Sequence, residues 1–235
     1  MTPYFSVLMP EEGRERAAAQ AWLDGAYAEH QWLWKLFAAP EGVPRDFLYR
    51  RRDVRGWPRF HLLSQRAPGP APDGWQLQTA VYDPDVRPGD RFRFELRANP
   101  TIMHKAEGDR RSKRHDVVMD AKRQLLAARG LQRWRDWSDD DPDKPSLYTL
   151  VQQHCGAWLR QRAGRNGFEL DEDTLSIEAF EQHEHKRGAL RFTSVDFSGE
   201  LTVTDAEAFG AVLRNGLGHA KAFGCGLLLV RRIVD

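Results

Sequence analysis

A chain of 235 residues with 41% hydrophobic and 29% charged side chains suits a globular protein of one large domain or two small ones. No apolar run approaches the roughly 18 residues of a membrane-spanning helix, and the opening MTPYFSVLMPEEGRER has neither the basic nor the long apolar region of a secretory signal. Two distant cysteines, Cys155 and Cys225, can build neither a disulfide framework nor a zinc site alone, so a reducing cytoplasm is the expected compartment. The net charge of +1 hides an uneven distribution. Residues 97–135 carry 11 basic and 4 acidic side chains, and residues 136–185 carry 4 and 12. Such a basic block suits a polyanion. It suits equally a solvated charged helix beside an acidic loop.

Pro3–Met9 is apolar and β-prone and reads as a first strand. A helix is expected over Asp24–Phe37, with Asp24 as N-cap. Tyr27, His30, Trp34 and Phe37 then share one face, and Tyr27 and His30 fall near the positive end of the helix, which favours a phosphate. Phe47–Val54 and Arg59–Ser64 read as strands joined by a turn at Arg55–Pro58. Arginines at 45, 50, 51, 52, 55 and 59 make this hairpin basic. Pro68–Gly74 is a loop and Trp75–Tyr82 a strand. Asp90–Ala98 alternates, with Phe92, Phe94 and Leu96 on one face and Arg91, Arg93, Glu95 and Arg97 on the other. The order fits a ferredoxin-like plan.

Residues 99–112, polar and poor in large apolar side chains, are expected to link an N-terminal unit (1–98) to a C-terminal unit (113–235). In the second unit Val117–Arg129 has helical periodicity and stops at Gly130. Trp137–Pro145 is an acidic loop, and Ser146–Arg162 a helix. Phe168–Phe180 and Gly188–Phe197 read as strands with a tip at His183–Arg187. Ser198–Thr204 reads as a further strand. Asp205 caps a helix over Ala206–Arg214, and Leu227–Ile233 closes as a strand.

The glycine-rich stretch Asn215–Val230, NGLGHAKAFGCGLLLV, lies between the last helix and the last strand. Its order is the reverse of a dinucleotide fingerprint or Walker loop, whose glycines follow a strand into a helix. Closely spaced glycines can turn amides toward an anion, or simply make a turn before a buried strand. Tyr27 and His30, three residues apart, bring a phenol and an imidazole to one face, where histidine can exchange a proton near neutral pH. A core tyrosine beside a partly exposed histidine gives the same spacing. His183 and His185 lack a third ligand nearby, so no metal and no cofactor are expected.

Taken together, AYAEHQWLWKLF, RFRFELRANP and NGLGHAKAFGCGLLLV resemble the CasE family, the CRISPR-RNA-processing endoribonucleases of the type I-E Cascade complex. The three motifs occur in the family's order and span essentially the whole chain. The resemblance implies an α+β fold of two tandem ferredoxin-like (RRM-like) domains. It implies metal-independent cleavage on the 3′ side of the stem-loop of CRISPR repeat RNA. His30 matches the catalytic histidine, Tyr27 its neighbouring tyrosine, and Lys221 the lysine of the glycine-rich loop. The family's basic hairpin corresponds here to His183–Arg191, with Lys186, Arg187 and Arg191 toward RNA. Gly216, Gly218, Gly224 and Gly226 would let backbone approach the RNA. Arg110, Arg111, Lys113 and Arg114 are candidates for the remaining phosphate track. The implied partners are the repeat RNA hairpin and other Cascade subunits, with no membrane. A subunit that holds guide RNA without cutting it is the alternative: both need the basic surface, and only cutting needs His30.

Overall fold

The computed structural model describes residues 2–20, 26–38, 42–104, 113–185 and 190–234. β1 (Tyr4–Pro10) leads to α1 (Glu15–Gln20), α2 (Ala26–Leu33) and a 3-10 turn over Trp34–Leu36. β2 (Phe47–Val54), β3 (Trp57–Ser64) and β4 (Trp75–Val81) follow. Next come β5 (Arg91–Ala98), β6 (Thr101–His104), β7 (Lys113–Asp116), α3 (Val117–Ala128) and α4 (Leu147–Arg165). Then follow β8 (Phe168–Leu170), β9 (Ser176–His185), β10 (Leu190–Val203), α5 (Ala206–Asn215), a 3-10 turn over Lys221–Phe223, and β11 (Leu228–Arg232).

Two antiparallel sheets result. The first runs β2-β3-β1-β4. The second runs β11-β5-β10-β8, with β9 also on β10. In each, the unit's opening strand lies between its third and its last, the order of a ferredoxin-like βαββαβ unit. In the second unit α4 crosses from β5 to β8, and α5 crosses from β10 to β11. In the first, residues 65–74 replace the second crossing helix with a Pro/Gly loop. The chain is therefore α+β with two ferredoxin-like units.

Local chemistry explains the elements. Phe92, Phe94 and Leu96 of β5 are buried while Arg91 and Arg93 are exposed, so the period-2 alternation fixes the inward face. Asp116, Ser146 and Asp205 cap α3, α4 and α5 by accepting from backbone amides of the first turns. Arg55 and Gly56, both at positive φ, form the two-residue turn between β2 and β3, which suits the twist of a hairpin. One core gathers Leu8, Leu33, Phe37, Tyr49, Phe60 and Trp75. The other includes Phe94, Leu96, Trp158, Phe168, Phe197 and Phe209. Leu48 and Leu63 of the first sheet meet Leu227 and dock the two units.

Several sequence expectations change. Arg91–Ala98, expected to end the N-terminal unit, pairs with β10 and β11 in the second sheet. Alternation defines a strand's buried face and leaves its neighbours open. The expected linker contains β6, which pairs with β7 from Thr101↔Asp116 to His104↔Lys113; residues 105–112 lie outside the described ones. Asn99 is buried there, and its Nδ2 donates to the Thr193 carbonyl at 2.6 Å. Ser198–Thr204 is not a separate strand, because β10 continues through it to Val203. Part of the basic block is neutralised internally. Arg129 pairs with Asp141 at 3.2 Å and Asp143 at 2.8 Å, drawing the acidic loop onto the end of α3.

Candidate functional site

Three segments converge at the edge of the first sheet: α2, the approach to β2 at Arg45–Phe47, and the 3-10 turn Lys221–Phe223, which packs on α2 and β2. The His30 ring lies 6.0 Å from Phe223 and 6.3 Å from Phe47, centroid to centroid. Nε1 of Trp34 donates to Nε2 of His30 at 3.2 Å. A neutral imidazole that accepts at Nε2 carries its proton on Nδ1. Nδ1 is buried and has no hydrogen-bond partner among the described residues. Burial, and after it the charge of Arg45, holds the His30 pKa below its ordinary value. The Tyr27 hydroxyl accepts from Gln31 Nε2 at 3.3 Å, one turn before the histidine.

His30 does not sit near the start of its helix. It lies in the last turn of α2, which gives way to the 3-10 turn at Trp34. The helix field there disfavours an anion, so attraction for a phosphate must come from side-chain cations. Lys221 is one of them. Its Nζ donates to the carbonyl of Asn215, the last residue of α5, at 2.7 Å. That contact caps the C-terminal end of α5. Burial and then Arg45 lower the Lys221 pKa. Tyr27, His30 and the turn bearing Lys221 thus occupy one neighbourhood, although the first two come from near the start of the sequence and the third from near its end.

The glycines shape this neighbourhood from within. Gly216 and Gly226 have φ of 71° and 94°, a region that side-chain-bearing residues rarely adopt. A Cβ on Gly216 would lie 2.7 Å from the Gly226 carbonyl oxygen, and one on Gly226 would lie 2.9 Å from the Leu217 carbonyl oxygen. Their amides are already engaged: Gly216 N–H donates to Val212 and Gly226 N–H to Arg97. These two glycines therefore serve contact of the protein's backbone with itself, and their amides are not presented to a ligand. Gly218 faces the Trp158 ring, and Gly224 faces Tyr49 and borders a cavity beside Phe223.

A groove of about 920 Å³ opens on the other side of Phe223, between β6–β7, the end of the β9–β10 hairpin next to its tip, and the glycine-rich segment. Arg114 and Arg191 line it, together with His219. The Arg191 side chain is 71% exposed and pairs with Glu184 at 3.0 Å. Lys113 precedes Arg114 on β7. Lys186 and Arg187 at the hairpin tip, and Arg110 and Arg111, lie outside the described residues. His183, expected at that tip, is part of β9. Its ring stacks on Phe192 at 4.5 Å and its Nε2 lies 2.7 Å from Ser194 Oγ. Phe192 in turn stacks on Phe223 at 5.1 Å. Aromatic rings therefore lead from the hairpin to His30. Among the described residues, no three His, Cys, Asp or Glu side chains are placed to hold a metal ion.

A family model described as CRISPR associated protein matches residues 4–232. The chain belongs to that family, in its CasE branch. The CRISPR system Cascade subunit CasE of Escherichia coli (strain K12) is 27% identical over 215 residues, covering 89% of this chain and 94% of that protein. The CRISPR-associated endoribonuclease Cse3 of Thermus thermophilus is 29% identical over 224 residues, 91% of this chain and 93% of that one. Among solved structures, Thermus thermophilus Cse3 bound to an RNA representing a pre-cleavage complex superposes with a TM-score of 0.67 at 26% identity, over 98% of this chain and all of that one. Cse3 bound to a 19 nt RNA gives the same figures.

The CasE-family motifs led to His30, Tyr27 and Lys221 but not to everything around them. Arg45 was one of six arginines in a basic hairpin, and its spacing did not set it apart. Phe223 stood inside a segment read for its glycines. Phe192 and His219 carried no signal that separates a groove wall from a core or surface position.

Proposed function

We propose that this CasE-family protein is an endoribonuclease that binds the stem-loop of CRISPR repeat RNA and cuts on the 3′ side of the stem. The observation that carries this reading is the position of His30. It sits against the Lys221–Phe223 turn, next to the groove lined by Arg114 and Arg191. RNA brings its own nucleophile, the ribose 2′-hydroxyl, so the reaction requires neither a protein nucleophile nor a metal ion. It requires a base at the 2′-oxygen, an acid at the 5′-oxygen leaving group, and positive charge for the phosphorane. His30, neutral near pH 7 because its pKa is lowered, takes one proton step. Tyr27 orients or assists, and Lys221 supplies charge. The products are a 2′,3′-cyclic phosphate, or the 3′-phosphate derived from it, and a 5′-hydroxyl.

Arg191, Lys113 and Arg114 contact the A-form stem through its phosphates, and Lys186, Arg187, Arg110 and Arg111 extend the track. Gly218 and Gly224 make room for the Trp158 and Tyr49 rings. A relative named as a Cascade subunit supports retention of the product within such an assembly, with the cytoplasm, where repeat transcripts are made, as the place of action. One feature favours the alternative, a guide-RNA holder that does not cut: Nε2 of His30 is engaged by Trp34. Incubation in EDTA with the stem-loop repeat from the array of the same genome decides between them. Cleavage that persists with the chelator and falls by about 10²–10⁴-fold in His30→Ala, with binding retained, supports the enzyme. A wild type that binds its repeat and leaves it intact supports the holder.

A further inference from the structure

The site contains a cation that neither its spacing nor the family motifs assigned a role. Arg45 precedes β2 and its guanidinium carbon lies 5.8 Å from the centre of the Phe47 ring. The same ring packs against His30. Arg45 is half-buried, and its Nη1 is buried with no hydrogen-bond partner among the described residues. A guanidinium nitrogen left in this state costs free energy unless a ligand completes it. The neighbouring cation differs: the Lys221 ammonium is already engaged by the Asn215 carbonyl. Nδ1 of His30, on the ring that packs against the same Phe47, is also buried without a hydrogen-bond partner among the described residues. An arginine donor and an imidazole nitrogen, both unsatisfied and held by one phenylalanine ring, make a pair suited to one phosphodiester.

We propose that Arg45 is a catalytic residue that binds the non-bridging oxygens of the scissile phosphate. It then also stabilises the charge that builds on them during attack. Arginine suits this role because its planar fork matches two phosphate oxygens at once. Lys221 then holds the end of α5 against the site and adds long-range charge, while Arg45 makes the direct contact. After burial, the Arg45 charge lowers the pKa of both His30 and Lys221, which agrees with a place near both. Among the described residues, Arg45, before β2, is the charged side chain that acts on His30.

The inference rests on the endoribonuclease reading, and its test keeps the two apart. The probe is a synthetic repeat stem-loop carrying a single Rp or Sp phosphorothioate at the scissile position. Single-turnover cleavage and affinity are measured for wild type, Arg45→Ala, Arg45→Lys and Arg45→Gln. The expected result is a loss of about 10²-fold in rate for R45A, with affinity within about three-fold and R45K intermediate. One thio diastereomer that slows the wild type should lose that penalty in R45A, an effect that a purely structural role does not produce. R45Q removes the charge but keeps a shorter polar side chain with a donor, and carries the comparison if R45A does not fold. Arg55→Asn, at the β2–β3 turn, removes the same charge and should leave the rate within two-fold. An R45A or R45Q rate within three-fold of wild type, or unchanged thio penalties at both diastereomers, overturns the assignment. A wild type that does not cut sinks the endoribonuclease reading itself.

Discussion

The indole N–H of Trp34 donates to Nε2 of His30 across 3.2 Å, one helical turn along the chain. This bond favours the neutral imidazole and fixes its proton on Nδ1. Trp34→Phe removes the donor and keeps a ring. Without that donor the neutral imidazole loses a partner, so the His30 pKa should rise. Titration of the ring by NMR checks this, and no upward movement would count against the bond.

The pH dependence of cleavage follows from the same environment. Burial disfavours the imidazolium, so His30 gives up its proton at lower pH than a free histidine. The rate should therefore titrate with a midpoint below about 6.5. A rise with pH through that midpoint identifies His30 as the base, and a fall identifies it as the acid. A midpoint above the ordinary histidine value contradicts the environment described.

Gly226→Ala should damage both fold and site. The new Cβ would meet the Leu217 carbonyl oxygen at 2.9 Å and the Lys221 Cγ at 3.1 Å, at a φ of 94°. Strain of this kind costs about 1–3 kcal/mol. Thermal unfolding should show the loss, and cleavage should fall further because the Lys221 turn must shift. An unchanged melting temperature would falsify this account of the glycine.

Arg114→Ala and Arg191→Ala should weaken binding to the stem-loop without slowing saturated single-turnover cleavage. Each loses about one phosphate contact, so the slope of log affinity against log salt should fall by about one. Filter binding between low and moderate salt measures it. A lost rate with intact affinity would move these arginines from the groove to the chemistry.

His61 predicts acid sensitivity. Burial first, and then Arg52, Arg59 and Arg50, lowers its pKa to about 4. The folded value is depressed below the unfolded one of about 6.5, so the stabilisation is complete above that pH. It is lost progressively as pH falls toward 4, because the unfolded chain binds the proton first. Melting temperatures at pH 7 and pH 5 should differ less in His61→Gln than in wild type.

Much of the architecture was legible because its signals are local. The cap Asp205, the alternation of β5 and the turn expected at Arg55–Pro58, which forms at Arg55–Gly56, each act within a few residues. The assignment of β5 to the second sheet was not legible, since it depends on β10 and β11, about 100 residues and more away in sequence. The site shows the same division. YxxH spacing drew attention to Tyr27 and His30. The partner of His30 in space, Phe223, and the unsatisfied nitrogen of Arg45 emerge only when the two sheets dock. The helix-dipole expectation failed for His30 for a local reason, because α2 becomes a 3-10 turn directly after Leu33.

The Lys221–Phe223 turn lies against α2, and this orders events during synthesis. Domains generally fold from the N-terminal end as the chain emerges, so the first sheet and His30 can be in place early. The wall that faces His30 is translated almost 200 residues later. A nascent chain therefore carries His30 without the wall that packs against it until residue 223 has cleared the ribosome.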